Sequence, residues 1–320
     1  MRVAFVGKGG AGKTTIASLF ARFLAELKRP VLCLDADINQ NLSEALGLSD
    51  AATSRLPELG NESEQLKEIL RGTNPRIRSA STMLKTTPPG RGSRLLKLET
   101  DDDVWSRFST TVDGVKFMRT GGFKDEEIGT HCYHSKTGAV ELLLNHLVDG
   151  PEQYVVVDMT AGADSFASGL FSKFDLTVVV VEPTIRAVGV FEQYVRYAAP
   201  FDVRIVALGN KISCEGDEIF LRNRVGDRYL GAFRTSDFVK RREQNSARSI
   251  SATRFLSELE PENLVMLKAL KAELDGCTRD TDRLRVQTIE FHTKNCVSWA
   301  NALYGEDLRS QIDPDFRFSN

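Results

Sequence analysis

The sequence predicts a doubly wound α/β fold, a mostly parallel sheet covered by helices on both faces, followed by a helical C-terminal extension. A short apolar run, Val3 to Val6, passes through a glycine-rich turn into an amphipathic stretch, Ile16 to Leu27. Continuous apolar runs of the same style recur between helical patterns, as strands buried on both faces require. Carboxylates close two of these runs, at Asp35 and Asp158, where parallel sheets place their ligands.

Taken in order, Arg2 to Gly7 reads as the first strand. Ile16, Leu19, Phe20, Phe23, Leu24 and Leu27 then mark one buried helical face. Pro30 to Asp35 reads as the second strand. Between about residues 49 and 112 the pattern breaks into short pieces around Pro57, Gly60-Asn61, Gly72 to Pro75 and Pro88 to Gly92. One helix is expected near Glu64 to Leu70, then a Pro/Gly-rich basic stretch from Lys85 to Arg94 that reads as a functional or a solvated loop. Further strands are expected at Val115–Arg119, Tyr154–Asp158, Leu176–Glu182 and Val203–Asn210. From about Ser257 the patterns are helical, one spaced by Leu264, Leu267, Leu270 and Leu274, another from Leu284 to Leu303. The expected organisation is a domain over 1–256, with an irregular insertion at 49–112, and an extension over 257–320. Trp299 and Tyr304 read as packing residues.

The 320 residues are 41 % hydrophobic and 27 % charged, enough for a sizeable core. A net charge of −2 excludes a global field for nucleic acid or an anionic membrane. A basic patch, Lys240-Arg241-Arg242 with Arg248 and Arg254, reads first as a solvated helix face, so nucleic acid is not an expected partner. No apolar run approaches the ~18 residues of a membrane span. Five scattered cysteines make a disulfide framework unlikely as an organising device and point to the reducing cytoplasm.

Chemistry concentrates in Gly7-Lys8-Gly9-Gly10-Ala11-Gly12-Lys13-Thr14-Thr15. The spacing fits the phosphate-binding pattern G-x-x-x-x-G-K-[ST]: backbone N–H groups of Gly9 to Thr15 close around phosphates, Lys13 meets the β/γ-phosphates, and Thr14 reaches magnesium. ATP and Mg are the expected ligands. Asp35 and Asp37 sit at the end of the second strand. Asp158 ends another strand, as a magnesium-shell carboxylate would, and Gly162 after it lets an N–H approach a γ-phosphate. Asn210 ends a further strand, and its amide can both donate to and accept from an adenine edge. A second candidate site is His131-Cys132-Tyr133-His134: thiolate and imidazole suit borderline metals such as Ni or Zn. Cys132 and His134 alone are too few for a closed site, which a symmetric dimer would double. The other reading of this segment is a structural or partner-contact element.

With its early lysine, the loop resembles the deviant Walker A family of P-loop ATPases, which includes the MinD and ParA positioning proteins, arsenite-pump ATPases and metallocentre-insertion ATPases. The resemblance implies that Lys8 reaches a partner subunit's nucleotide, so that ATP closes a homodimer. It also implies that Asp35 holds magnesium through water, that Asp37 positions the attacking water, that Asp158 and Gly162 form the Walker B and switch II elements, and that Asn210 reads the base. Catalysis would then rest on Lys8, Lys13 and Asp37. Over about residues 1 to 250, Gly114 to Met118, Cys132-Tyr133-His134, Val157 to Gly162, Val181 to Thr184 and Gly209-Asn210-Lys211 resemble the CooC-type ATPases, which insert nickel into carbon monoxide dehydrogenase through a C-x-C at the dimer interface. Here His134 replaces the second cysteine. The implied function is an Mg·ATP-dependent switch serving a client metalloenzyme. The alternative is a ParA/MinD-like positioning ATPase acting on DNA or a partner protein. The short acidic tail around Asp313 to Phe318 lacks the amphipathic membrane helix of MinD-type relatives.

Overall fold

The computed structural model describes residues 1–123, 133–160, 162–244, 255 and 257–318, apart from the side chains of 134, 135, 163 and 242. Among the described residues eight strands form one sheet: β1 (Arg2–Gly7), β2 (Val31–Ala36), β3 (Thr110–Val112), β4 (Val115–Arg119), β5 (Tyr154–Met159), β6 (Leu176–Val181), β7 (Ile205–Ile212) and β8 (Tyr229–Arg234). Their spatial order is β3-β4-β2-β5-β1-β6-β7-β8, parallel throughout except that β3 runs antiparallel to β4. The mostly parallel, doubly covered sheet expected from the apolar runs is therefore present. Two strands are additional: β3 is only three residues of Thr-Thr-Val, and β8 is half-buried, so neither carries a continuous apolar run.

Alternation along β1 assigns the two faces. Ala4 and Val6 pack with α4 (Ser63–Arg71), α6 (Tyr133–His146) and α7 (Ile185–Ala198) through Leu66, Leu143 and Phe191. Val3 and Phe5 point to the other face, against Phe20 and Leu24 of α1 (Lys13–Glu26). That second layer also holds Leu267, Leu270 and Leu274, so the leucine spacing of the C-terminal segment marks a face docked on the main sheet. These leucines lie on the helix Pro261–Asp275. The following helix, Thr281–Asn295, presents Phe291 to Phe171 and Phe201. The short helix α2 (Leu42–Ala45) follows β2, and residues 49–112 hold, besides α4, the short helices α3 (Asp50–Arg55) and α5 (Asp103–Phe108). The stretch 86–90 is buried, unlike a solvated loop: Thr87 Oγ1 donates to Gln311 Oε1 at 3.0 Å and Arg91 N–H to Asp313 Oδ2 at 3.0 Å. Trp299 and Tyr304 are partly exposed, at 44 % and 37 %. Among the described residues no helix is long and apolar enough to cross a membrane.

The end of the sheet where β1 begins is locked by charge. Arg2 contacts Asp149 at 2.8 Å and donates to the Leu144 and Leu147 carbonyls, while Arg279 bridges Asp149 and Asp175 at 2.5 Å each. Burial alone would raise the Asp149 pKa, but Arg2 and Arg279 outweigh it and hold the carboxyl well below the usual range. A depressed folded-state pKa stabilises the fold fully above the unfolded value near ~4 and loses that contribution as pH falls toward the folded value. Asp149→Ala should therefore lower unfolding free energy by about 3–5 kcal/mol at neutral pH, because two buried guanidiniums lose their shared counter-ion. Urea titration at neutral and acidic pH reads this, and the difference from wild type should shrink below pH ~4.

Candidate nucleotide site

The carboxyl ends of β1, β2, β5 and β7 converge where the chain leaves β1. In this sheet α1 carries the chain from β1 across one face while α7 covers the other, which opens a crevice at the switch point. The loop after Gly7 turns back on itself, the Ala11 N–H donating to the Lys8 carbonyl at 3.1 Å. Gly12 precedes α1 with φ +94°, and a Cβ there would lie 2.2 Å from Asn210 Nδ2, so both conformation and space demand glycine. The first amides of α1 receive no side-chain cap, which leaves them and the helix dipole directed at the crevice. Gly9 and Gly10 are exposed and border open space.

Five sequence-predicted side chains meet at the floor of this crevice. Lys13 is buried, its Nζ 3.5 Å from Asp37 Oδ2. The other Asp37 oxygen accepts from Asn39 N and Nδ2, each at 3.0 Å. Asp35 and Asp158 are register partners on β2 and β5. Asp35 accepts the Asp37 N–H at 3.1 Å and the Leu42 N–H at 2.9 Å, so it also shapes the turn after β2. Thr14 Oγ1 donates to Asp158 Oδ2 at 2.5 Å, while Asp158 Oδ1 is buried with no hydrogen-bond partner among the described residues.

The electrostatics follow from three buried carboxylates facing one buried ammonium. Burial, followed by the charge of Asp158, raises the Asp35 pKa well above the carboxylate range. Burial likewise pushes Asp158 up to about 7, against the opposing pull of Thr14 and Lys13. A hard divalent cation fits this arrangement, because it supplies the missing positive charge and a partner for the orphaned Asp158 oxygen. Among the described residues no three His, Cys, Asp or Glu side chains gather to hold a metal by themselves. Magnesium keeps waters and substrate phosphates as ligands, so Thr14 and Asp158 are a sufficient protein share.

Asn210 reaches the loop from β7, donating through Nδ2 to the Ala11 carbonyl at 2.7 Å. Gly162, with φ +63°, opens the turn Gly162–Ala167 beyond β5. The Lys8 ammonium makes no ion pair among the described residues. Thr15 Oγ1 donates to Glu243 Oε1 at 2.9 Å, on the helix Asp237–Gln244 that also carries Lys240 and Arg241. Cys132 lies outside the described residues, as do His131, Arg248 and Arg254; His134 falls on the first turn of α6.

Three participants have no role assigned from the sequence. Gln40, with φ +52°, bonds the Asp37 carbonyl at 2.5 Å and the Asp35 carboxylate at 3.4 Å, and accepts from the Gly121 N–H at 2.8 Å. Tyr133 Oη donates to the Asp37 carbonyl at 2.7 Å, tying the start of α6 to the turn that carries Asp37. Lys211 Nζ contacts the Gly10 carbonyl and Glu182 Oε1, both at 2.7 Å. An asparagine-lysine pair after an apolar strand hinted at the last of these; nothing local singled out the other two.

A strand, a phosphate-type loop, a helix and strand-end carboxylates define a P-loop nucleotide-hydrolase fold. The chain belongs to the CobQ/CobB/MinD/ParA nucleotide binding domain family, whose model matches residues 3–252, and it is a P-loop ATPase. It is 27 % identical over 225 residues to the carbon monoxide dehydrogenase accessory protein CooC of Rhodospirillum rubrum, covering 70 % of this chain and 79 % of that one. In fold it is similar to a ParA family ATPase from Chlorobium tepidum (TM-score 0.57, 14 % identity, 84 % of this chain and 97 % of that one). It is similar also to the septum site-determining protein MinD from Pyrococcus horikoshii, solved with Mg-ADP (TM-score 0.53, 15 % identity, 85 % and 95 % covered).

Proposed function

We propose that this protein is a Mg·ATP-dependent dimeric switch that assists metal insertion or metallocentre assembly in a client enzyme, with nickel or zinc as cargo held between Cys132 and His134 of two subunits. The observation that carries the ATPase half is the convergence of Lys13, Thr14, Asp35, Asp37 and Asp158 beneath the amides of α1. Similarity to CooC supports the metallocentre half.

In this reading the amides of Gly9 to Thr15 cradle the phosphates, Lys13 offsets charge developing on the transferred group, and Asp37 orients the attacking water. Thr14 and Asp158 would hold magnesium, with Asp35 behind them through water. Bound there, magnesium neutralises phosphate charge. The Gly162 N–H meets the γ-phosphate side, Asn210 the base side, and Lys8 the nucleotide of the second subunit. Tyr133 gives a mechanical link: it adjoins Cys132 in sequence and hydrogen-bonds the Asp37 carbonyl, so a change at Asp37 is felt at the start of α6. Residues 1–256 would act as the ATPase domain and 257–320 as its helical extension.

Metal analysis of purified protein tests the cargo. Wild type loaded with Ni²⁺ or Zn²⁺ should hold about one ion per dimer, and Cys132→Ser and His134→Ala should each release it, since two ligands per subunit complete a four-ligand site. Equal metal in wild type and both variants would contradict the assignment. Absence of metal together with ATP-dependent retention of DNA would favour a positioning ATPase instead.

A further inference from the structure

At the end of the sheet away from the phosphate loop, where β1 begins, the sheet and the C-terminal segment line a partly open cavity of about 100 Å³. Its apolar walls include Pro88, Pro89, Leu144, Leu284, Phe316 and Phe318. Four cationic side chains also line it: Arg2, Lys173, Arg279 and Arg285. Arg2 and Arg279 are occupied by Asp149 and Asp175. The other two are not so matched.

Lys173 is 2 % exposed, and its single described hydrogen bond runs to Thr288 Oγ1 at 2.6 Å. An ammonium has three N–H groups, so two remain for another acceptor. No carboxylate of the described residues lies within ion-pair distance of it; Glu141, itself buried, offsets the charge only from farther away. Arg285 donates to the Asp313 and Pro314 carbonyls at 3.0 Å each and likewise has no described ion pair. A buried cation without a close counter-ion is costly unless something pairs with it. A mostly apolar cavity with a few convergent charged groups is the usual form of a small-ligand site.

We propose that this cavity binds a small organic anion, its acid group held by Lys173 and Arg285 and its apolar body lying against Leu144, Leu284 and the two phenylalanines. Room for several waters corresponds to a ligand of roughly ten non-hydrogen atoms. Lys173 ends the turn Gly169–Lys173, a few residues beyond Gly162–Ala167, in the connection between β5 and β6. The site uses none of the phosphate-loop residues, so it stands or falls separately from the nucleotide reading.

Titration calorimetry on the full chain tests it with 3-phenylpropionate and its neutral counterpart 3-phenylpropan-1-ol. The acid should bind saturably and at least about tenfold more tightly than the alcohol, the scale of one retained charge-assisted contact. Lys173→Met, which keeps the stem, should erase that preference. Should that variant not fold, Arg285→Ala at the half-exposed rim gives the same reading, with about a fivefold loss for the acid alone. No saturable binding of the acid, equal binding of acid and alcohol, or unchanged preference in a folded variant would each overturn the proposal.

Discussion

Lys13→Ala is expected to reduce ATP turnover by about 10²–10³-fold or more, the scale on which a preorganised charge stabilises a phosphoryl-transfer transition state. The lysine is buried, and its nearest partner is Asp37 at 3.5 Å. Its removal leaves Asp35, Asp37 and Asp158 facing one another without an ammonium, in a site where burial already pushes Asp158 up to about 7. Binding of a polyanionic substrate should therefore fail together with chemistry. Initial-rate ATPase measurements, with circular dichroism to establish folding, read the effect. Folded protein with near wild-type turnover would remove the phosphate-loop assignment.

A different split is expected for Asp37→Asn. Amide replacement preserves size and an oxygen able to accept from Asn39, yet removes the charge that faces Lys13 and that we propose orients the attacking water. The kcat should fall by about 10²–10⁴-fold, the range for losing a positioned acid-base group, while KM changes little. A rise in KM at constant kcat would instead mean that Asp37 only helps to bind substrate.

How much of this could be read from the chain differs by element. Gly7 to Thr15 was legible because the motif is local, and because the strand before it and the helix after it have different hydrophobic periods. Asp35 and Asp158 were legible as strand-end carboxylates, but their register pairing was not, since it joins strands more than 120 residues apart. The stretch 86–90 looked like an open loop because its Pro and Gly content is a local signal. Its burial depends on Gln311 and Asp313, more than 220 residues later. A separation of 115 residues, from Lys173 to Thr288, likewise hid the cavity between Lys173 and the C-terminal helices. Gln40 and Tyr133 were missed for another reason: their role is to hydrogen-bond a backbone carbonyl, which any residue supplies, so no pairing pattern exists in the sequence. Spacing from Leu264 to Leu274 marks a helix in the sequence, but the surface that helix covers emerges only with the fold.

In the proposed switch, nucleotide state sets assembly state. Sedimentation velocity of Asp37→Asn, which should hold ATP without consuming it, measures this directly. With Mg·ATP the variant should sediment as a dimer, with Mg·ADP or no nucleotide as a monomer, and Lys8→Ala added to it should abolish the ATP-dependent dimer. An assembly state that is the same with ATP, with ADP and without nucleotide would contradict the account.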